Sequence, residues 1–508
     1  MSVYLHGPGV SVEDVVAVGR FNDSVELTDD AVERMARSRA VVDTLANTAP
    51  TYGLSTGFGA LATTAIPAER RADLQVSLIR SHAAGMGPPI ETEVVRGMMF
   101  LRARTLAMGF SGARPEVAQA IVELLNAGIC PIVPEHGSLG ASGDLAPLAH
   151  AALALIGEGS VVVDGHELSA ADALSNAGLS PLTLAEKEGL ALTNGTDGIL
   201  AMMCLAVNDL SRLATTADVV AAHTVEAVMA TDRAFASDLQ ELRPHPGQAD
   251  SAANLRKLLA GSEIMASHRE DDLRVQDAYS IRCTPQVHGA ARDSLSHGAL
   301  VVGRELEAAI DNPMVLPDGR VESCGNFHGA PLGLAADLLC MAAAEVGAIA
   351  ERRLDRMLDA TRSFGLPPFL AHEPGVDSGL MIGQYTAAAM CAENRRLAAP
   401  ASVDSLPTSA MQEDHVSMAW GAARKLRRVV DNLRRILAIE WVAGSRAIDL
   451  RAPLTASPAV AAAVSRLRQD VDGPGPDRVL SDELRRAEDL LASGELVAAV
   501  EPITGTLV

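Results

Sequence analysis

Aromatic side chains are scarce in this sequence. Only 3% of its 508 residues are Phe, Trp or Tyr, although 48% are hydrophobic, and alanine and leucine are abundant. This composition favours closely packed helices over sandwich or barrel sheets, which depend on aromatic and β-branched residues. We therefore predict a mainly α fold with little β-structure, and the length predicts two or three packed sub-regions or one elongated helical unit.

An excess of basic charge is also missing. The sequence has 64 acidic and 42 basic residues, which give a formal net charge of −22. Such a charge repels phosphate backbones and acidic membrane surfaces. The first twenty residues have no basic start followed by an apolar run, and no window of eighteen residues is apolar throughout. We therefore expect no nucleic-acid or membrane partner and a cytoplasmic location.

Three motif types that would suggest other chemistry are absent. The six cysteines form no Cys-x-x-Cys pair, and the thirteen histidines form no His-Glu-x-x-His. A disulfide framework and a zinc site therefore lack the spacing they need, so we expect chemistry without a metal. No glycine-rich segment ends in Gly-Lys-Ser/Thr, which excludes a nucleotide P-loop.

Long stretches with helical patterns dominate the middle of the chain. Residues 199–243 contain no Gly or Pro, residues 334–362 are rich in Ala and Leu, and residues 408–452 carry apolar side chains at helical spacing. These features predict a long-helix bundle core. The apolar stripe of the last stretch consists of Leu426, Val429, Leu433, Ile436 and Trp441.

The sequence predicts three regions: a loop-rich N-terminal region (1–198), a central long-helix bundle (199–452) and a helical C-terminal tail (453–508). Glycines cluster in the first region, where functional loops are expected. The Val run at 161–163 before Asp164-Gly165 predicts one arm of a small hairpin. A helix is predicted around 481–491.

Residues 137–144, Gly-Ser-Leu-Gly-Ala-Ser-Gly-Asp, concentrate small side chains. One interpretation is an ordinary glycine-rich loop. The alternative is chemical: the Gly143 amide nitrogen attacks the Ala141 carbonyl and closes a five-membered ring, and dehydration of Ser142 then leaves an electron-poor alkene. Asp144 is placed to assist the proton transfers. Spacing alone leaves both interpretations open.

Residues 140–148, Gly-Ala-Ser-Gly-Asp-Leu-Ala-Pro-Leu, resemble the signature of the histidine/phenylalanine ammonia-lyase family. Members carry the 4-methylidene-imidazol-5-one (MIO) group, which forms from this Ala-Ser-Gly. Other family-like segments follow in the expected order from about Tyr52 to at least Arg451. The resemblance implies an N-terminal region that bears an MIO made from Ala141, Ser142 and Gly143, without metal or nucleotide.

Two tyrosine-bearing segments extend the resemblance. Residues 52–59, Tyr-Gly-Leu-Ser-Thr-Gly-Phe-Gly, resemble a mobile loop whose tyrosine removes the substrate β-proton, although a lone Tyr beside glycines is otherwise an aromatic plug. In residues 276–283 the resemblance implies substrate contacts by Gln276 and Arg282 and a catalytic Tyr279. The spacing of Tyr279 and Arg282 puts both on one side of a helical turn, and a guanidinium suits an α-carboxylate, although most arginines are solvated.

Asn194 and Phe327 lie in two further family-like segments. Residues 193–196, Thr-Asn-Gly-Thr, match a family segment whose asparagine binds near the substrate carboxylate and the MIO. An ordinary Asn-Gly turn is the alternative. Phe327 resembles an aromatic that packs beside the MIO, and a buried core aromatic is the alternative.

Two segments resemble the histidine lyases in particular. His82 stands where those enzymes contact the substrate imidazole, and Gln412-Glu413 belongs to a Gln-Glu-Asp-His segment whose glutamate aromatic lyases typically lack. A structural His82 is the competing interpretation, and Ser409-x-x-Gln412 also fits a helix capping box. Since an imidazole needs hydrogen-bonding partners, His82 and Glu413 favour L-histidine as substrate.

Other functions remain open. Within the family, the alternatives are a tyrosine or phenylalanine ammonia-lyase and an aminomutase. A non-catalytic helical scaffold and a fumarase-type lyase are alternatives from other classes. Family members form homotetramers with active sites built from several subunits, so the resemblance also implies a homotetramer.

Overall fold

The computed structural model describes residues 2–45, 56, 64–270, 272 and 274–508. Tyr52 lies outside these residues, so its role as a base stays a prediction.

Helices predominate, as the composition predicts. In chain order they are Val12–Arg20 (α1), Asp29–Leu45 (α2), Arg71–His82 (α3), Thr92–Ala107 (α4), Pro115–Asn126 (α5), Leu145–Leu155 (α6), Ala170–Asn176 (α7), Glu188–Thr193 (α8), Asp197–Ala227 (α9), Ser237–Glu241 (α10), Pro246–Leu259 (α11), Glu263–Ala266 (α12), Tyr279–Arg282 (α13), Thr284–Leu306 (α14), Ala330–Leu358 (α15), Met381–Leu397 (α16), Ala419–Asp449 (α17), Pro458–Leu467 (α18), Leu480–Ser493 (α19) and Glu495–Thr504 (α20).

The strands are two to four residues long and form small sheets. β1 pairs with β2 in parallel, β3 pairs with β5, β4-β6-β7 form a three-stranded antiparallel sheet, and β8 pairs with β9. The predicted hairpin is confirmed as β6-β7, with its turn at Asp164 and Gly165, both at positive φ. The strands are Ser2–Leu5 (β1), Ser24–Leu27 (β2), Met86–Pro89 (β3), Cys130–Pro131 (β4), Pro134–His136 (β5), Ser160–Val163 (β6), His166–Ser169 (β7), Met314–Val315 (β8) and Val321–Glu322 (β9).

The chain divides into two compact units, each made of separate stretches. The first unit comprises Met1–Asn208, Ala299–Asp337 and Pro400–Arg424. The second comprises Asp209–Gly298, Leu338–Ala399 and Lys425–Val508. The three consecutive regions 1–198, 199–452 and 453–508 stay a prediction.

In the first unit, α4 is the central helix: fourteen of its residues, from Val94 to Ala107, are buried, and α1 and α5 pack against it. Helices α3, α6 and α8 also pack against one another. His82 is the last residue of α3, Asp144 precedes α6, and Asn194 follows α8. Three packed helices therefore carry predicted site residues at or next to their ends.

In the second unit, α18 packs against α20 and α10 against α11. The predicted apolar stripe of α17 is confirmed, because all five of its side chains are buried. Apolar side chains one or two turns apart lie on one helix face, and burying that face stabilises the helix. The predicted tail helix is also present, as α19.

Two helical stretches in the described part of the chain are long and apolar enough to cross a membrane. They are Glu188–Ala227 and Ala330–Leu358, whose most apolar windows are 100% and 61% buried. The core helices of globular proteins pass the same test of length and composition, so this finding is weak evidence for a membrane span.

Candidate active site

The Ala-Ser-Gly loop packs tightly against the turn after α8. Gly143 has a φ of +76°, and a Cβ placed there would lie 2.2 Å from the Gly195 carbonyl oxygen. The next amide, of Asp144, donates to that same carbonyl over 2.7 Å. A side chain at position 143 would therefore be excluded both by backbone conformation and by space.

Asp144 anchors this loop to α9. One carboxylate oxygen accepts from the Gly198 and Ile199 amides, each over 2.9 Å, and the other accepts from the Ser138 hydroxyl over 2.9 Å. The two amides belong to the first turn of α9, where a carboxylate is stabilised. Burial raises the pKa of Asp144 to about 7, although these hydrogen bonds oppose the rise. Its assistance in proton transfer stays a prediction.

The Ser142 hydroxyl donates to a Glu413 carboxylate oxygen over 2.9 Å. The other oxygen of Glu413 accepts from the Thr408 hydroxyl over 2.9 Å. Glu413 is half-buried, so a hydrogen-bonded carboxylate lies directly beside the predicted reactive serine. The structure thus brings together two site residues that are 271 positions apart in the sequence.

The predicted capping box at Ser409 and Gln412 is wrong. Ser409, Ala410 and Met411 all have positive φ values, and α17 begins only at Ala419. The backbones of Thr408 and Glu413 pair with each other instead, with N–H to O distances of 2.9 and 3.3 Å. This tight loop, with Gln412 exposed at its tip, presents the Glu413 side chain.

His82 lies within the electrostatic reach of Glu413. Burial lowers the pKa of the His82 imidazole, whereas the Leu78 carbonyl and the Glu413 carboxylate act in the opposite direction. The Ser81 hydroxyl lies 3.1 Å from its Nδ1. With a pKa below its ordinary value, His82 is mostly uncharged at pH 7, and a neutral imidazole can both donate and accept a hydrogen bond.

Asn194 presents a buried acceptor. Its side-chain nitrogen donates to the Asn312 carbonyl over 2.8 Å, while its Oδ1 is buried and has no hydrogen-bond partner in the described structure. The Thr196 hydroxyl, two residues on, is likewise buried and unpaired there. Buried polar atoms normally have partners, so these two atoms have the capacity to hydrogen-bond another group.

The loop before α15 contributes Phe327, which is half-buried rather than a core aromatic. The next residue, His328, stacks on His415 with ring centroids 5.7 Å apart. Below them, the Ser417 hydroxyl donates to the Gly140 carbonyl over 2.7 Å. We did not predict contacts for His328, His415 and Ser417, because His328 and His415 are 87 positions apart and Ser417 is 277 positions from Gly140.

The second unit carries Gln276, Tyr279 and Arg282. The predicted shared side of a helical turn is present, because the Arg282 guanidinium lies 4.7 Å from the Tyr279 ring centroid. Gln276 is exposed, and Tyr279 is 72% exposed. The Arg282 Nε donates to the Asp277 carbonyl over 3.0 Å, which leaves the ends of its guanidinium for other acceptors.

The residues around the Ala-Ser-Gly loop fit the MIO that the family resemblance implies. Gly143 supplies an unhindered nitrogen in a position that only glycine fits, Ser142 has its hydroxyl on a carboxylate, and Asn194 leaves an acceptor unpaired. No metal is needed for ring closure by these residues.

Comparisons with known proteins identify the family of the chain. The model of the aromatic amino acid lyase family matches residues 10–469. A histidine ammonia-lyase of Streptomyces griseus is 58% identical over 504 residues, which cover 98% of each chain. A histidine ammonia-lyase of Symbiobacterium thermophilum is 48% identical over 503 residues, which cover 99% of each.

Solved structures share the fold over its full length. A tyrosine aminomutase from Streptomyces globisporus has a TM-score of 0.94 at 37% identity and 100% coverage of both chains. A histidine ammonia-lyase from Trypanosoma cruzi has a TM-score of 0.92 at 40% identity, and the match covers 99% of this chain and 96% of that one. The chain therefore belongs to the aromatic amino acid lyase family.

Proposed function

We propose that the chain is a histidine ammonia-lyase, a carbon–nitrogen lyase that converts L-histidine into trans-urocanate and ammonia, the first step of histidine degradation. The observation that carries the proposal is the Glu413 carboxylate, which lies 2.9 Å from the Ser142 hydroxyl and within the electrostatic reach of His82. The histidine ammonia-lyase names of relatives at 48–58% identity over the whole chain support it.

The proposed electrophile is an MIO formed from Ala141, Ser142 and Gly143, with Asp144 anchoring the loop. When present, this group supplies an electrophilic carbon that takes up the substrate amine and so improves a poor leaving group. Ring formation needs a loop held in one conformation. The hydrogen bonds of Asp144 to α9 and to Gly195 provide that constraint.

The remaining residues bind and deprotonate the substrate. Glu413 and His82 hydrogen-bond the substrate imidazole, and Arg282 pairs with the α-carboxylate. The Asn194 Oδ1 accepts from a substrate N–H. We expect Tyr52, outside the described residues, to take the β-proton, for which its phenol must ionise more readily than at its ordinary pKa. Tyr279 is the second catalytic tyrosine, with substrate contacts from Gln276, Phe327 and Gln412.

A tyrosine or phenylalanine ammonia-lyase and an aminomutase are the alternatives. The aminomutase has a specific observation in its favour, the TM-score of 0.94 with a tyrosine aminomutase. A phenyl side chain, however, would desolvate Glu413 and His82 without offering either a hydrogen bond. An unpaired buried polar group costs about 1 to 3 kcal/mol, so these two residues favour the imidazole substrate.

We also propose a cytoplasmic homotetramer with shared active sites. Tyr279 is 72% exposed, and α14 and α15 expose apolar Leu300, Leu334 and Met341. Exposed apolar side chains on long helices suit burial against further copies of the chain. Light scattering measures the mass of the oligomer. Mixing Ser142→Ala with Arg282→Ala chains tests whether active sites are shared between subunits. Recovered activity in the mixture supports shared sites, and a mixture without activity contradicts them.

The test of function offers L-histidine, L-tyrosine and L-phenylalanine separately and follows the conjugated acid by ultraviolet absorbance. We expect rapid urocanate formation from histidine alone. Faster turnover of tyrosine or phenylalanine, or a β-amino acid product, would replace the proposal with one of the alternatives. Intact-protein mass should show the loss of two waters, because ring closure and serine dehydration each release one.

A further inference from the structure

The orientation of the Asn194 amide is dictated by its neighbour. Its side chain contacts the Asn312 backbone carbonyl, which can only accept, so the group facing that carbonyl must be the NH₂. The Oδ1 therefore points the other way, buried and unpaired. Whatever group binds there has to be a donor, such as a substrate N–H.

Asn312 is itself held by hydrogen bonds to two neighbours. Its amide donates to an Asp311 carboxylate oxygen over 2.6 Å, and its side-chain oxygen accepts from the Cys324 amide over 3.0 Å. The other oxygen of Asp311 accepts from the Lys187 ammonium over 2.8 Å. The side chains of Asp311 and Lys187 are 1% and 0% exposed, so this ion pair is fully buried.

The short helix α8 connects this ion pair to Asn194. Lys187 immediately precedes α8, with a φ of +74°, and Asn194 immediately follows it. The two ends are therefore tied to two consecutive residues, the first to Asp311 and the second to Asn312. Rotation or sliding of α8 would break one of these contacts.

A buried ion pair seldom adds net stability, because desolvating two charges offsets most of their attraction. Packed apolar residues would hold α8 in the core equally well. The feature that the pair adds is fixed geometry, since Lys187 and Asp311 set the distance between the start of α8 and the carbonyl that orients Asn194.

We propose that Lys187 is a positioning residue, which acts through Asp311 and Asn312 to keep the Asn194 Oδ1 aimed at the substrate. The inference rests on the proposed function, because its main readout is turnover of histidine. Because the Lys187 ammonium is buried and pairs with Asp311, its proposed role runs through Asn194, and its removal should matter only while Asn194 is present.

The test is a double-mutant cycle with Lys187→Met and Asn194→Ala. In the wild-type background we expect Lys187→Met to lower kcat/KM for histidine about 10- to 100-fold, the range that small misplacements of binding groups produce. In the Asn194→Ala background the same substitution should change kcat/KM less than about threefold. Intact mass should still show the loss of two waters. Equal losses in both backgrounds would overturn the proposal.

Arg114→Met is the matched control. Arg114 pairs with Glu188, the residue next to Lys187, over 2.7 Å. Because the Glu188 side chain is fully buried and loses a partner, we expect this variant to lower the unfolding temperature but to keep kcat/KM within about twofold of the wild type. A loss of kcat/KM as large as that of Lys187→Met would reduce Lys187 to a general support of α8 and contradict the proposal.

A second variant addresses misfolding. Lys187→Met/Asp311→Asn removes both buried charges and leaves none unpaired, so it should fold where the single variant does not. We expect the same 10- to 100-fold loss, and wild-type kcat/KM in this folded variant would refute the positioning role. Failure of the proposed function is distinct, because the wild type itself would then release no urocanate.

Discussion

Two buried polar clusters, one in each unit, are built on opposite plans. In the second unit, each carboxylate oxygen of Asp218 accepts two hydrogen bonds. Ser251 and His288 donate to one oxygen over 2.6 and 2.8 Å. Asn254 and Arg292 donate to the other over 3.0 and 2.7 Å. In the first unit, the turn after α8 leaves the Asn194 Oδ1 and the Thr196 hydroxyl buried and without partners among the described residues.

The difference separates stability from function. Burial alone would raise the pKa of Asp218, yet the hydrogen bond from His288 and the charge of Arg292 hold that pKa below its ordinary value. A carboxylate satisfied in this way has no capacity left for a ligand. The Asn194 Oδ1 and the Thr196 hydroxyl, by contrast, keep the capacity to hydrogen-bond another group. Substitutions should therefore affect stability in the second unit and turnover in the first.

The largest effect is expected for Ser142→Ala in the first unit. Without the serine hydroxyl the dehydration step has no leaving group, so turnover should fall at least about 1000-fold. The fold should persist, because Ala fits wherever Ser does in this half-buried position. Circular dichroism checks that the variant is folded. Its intact mass should lack the loss of two waters. Activity like that of the wild type would remove the MIO from the mechanism.

Asp218→Ala should show the reverse pattern. Removing this carboxylate leaves the Arg292 guanidinium, whose side chain is only 12% exposed, without its partner, and breaking a buried ion pair costs about 3 to 5 kcal/mol. Chemical denaturation measures the loss, with Asp489→Ala on the exposed face of α19 as the control. We expect kcat/KM of the folded enzyme at low temperature to stay within about threefold of the wild type. A large loss of turnover without a loss of stability would break the comparison.

Glu413→Gln tests recognition within the first unit. Gln keeps the shape of the side chain but replaces a carboxylate oxygen with a donor. The charge-assisted hydrogen bond to an imidazole N–H is lost, and we expect kcat/KM for histidine to fall about 100-fold. The exposed neighbour supplies the control, because Asp414→Asn should leave kcat/KM within about twofold. Equal losses in the two variants would argue against a specific role for Glu413.

Local patterns predicted much of the fold. The apolar stripe on α17 and the Asp164-Gly165 hairpin depend on neighbours within a few residues, so periodicity and turn chemistry suffice to find them. The capping box at Ser409 failed because longer-range contacts compete with local preference. The Met418 amide donates to the Leu139 carbonyl over 2.8 Å, which ties this segment to the Ala-Ser-Gly loop before α17 starts.

The site was only partly accessible from the sequence. Ser142, His82 and Glu413 could be named because the segments around them resemble a known family. Lys187 and Asp311 are 124 positions apart, and neither lies in a motif whose chemistry is distinctive. Only the folded chain brings their charges together. Residues that position the site are therefore found from the structure, whereas residues that contact the substrate can be recognised in the sequence.

A stabilising effect is expected for Glu226→Gln in the second unit. Burial raises the pKa of Glu226 to about 7, against hydrogen bonds from Ser262 and Ser457. Because the folded pKa lies above the unfolded value near 4.5, the neutral carboxyl favours folding at low pH, and this advantage is lost as the pH rises through 7.

At pH 8 the ionised Glu226 costs up to about 3 kcal/mol, which Gln avoids. Thermal unfolding should therefore show Glu226→Gln more stable than the wild type at pH 8 and nearly equal at pH 4, below the unfolded pKa, with the exposed Glu241→Gln unchanged at both. A difference of the same size at both pH values would mean that packing, rather than ionisation, separates the two proteins, and would contradict the raised pKa of Glu226.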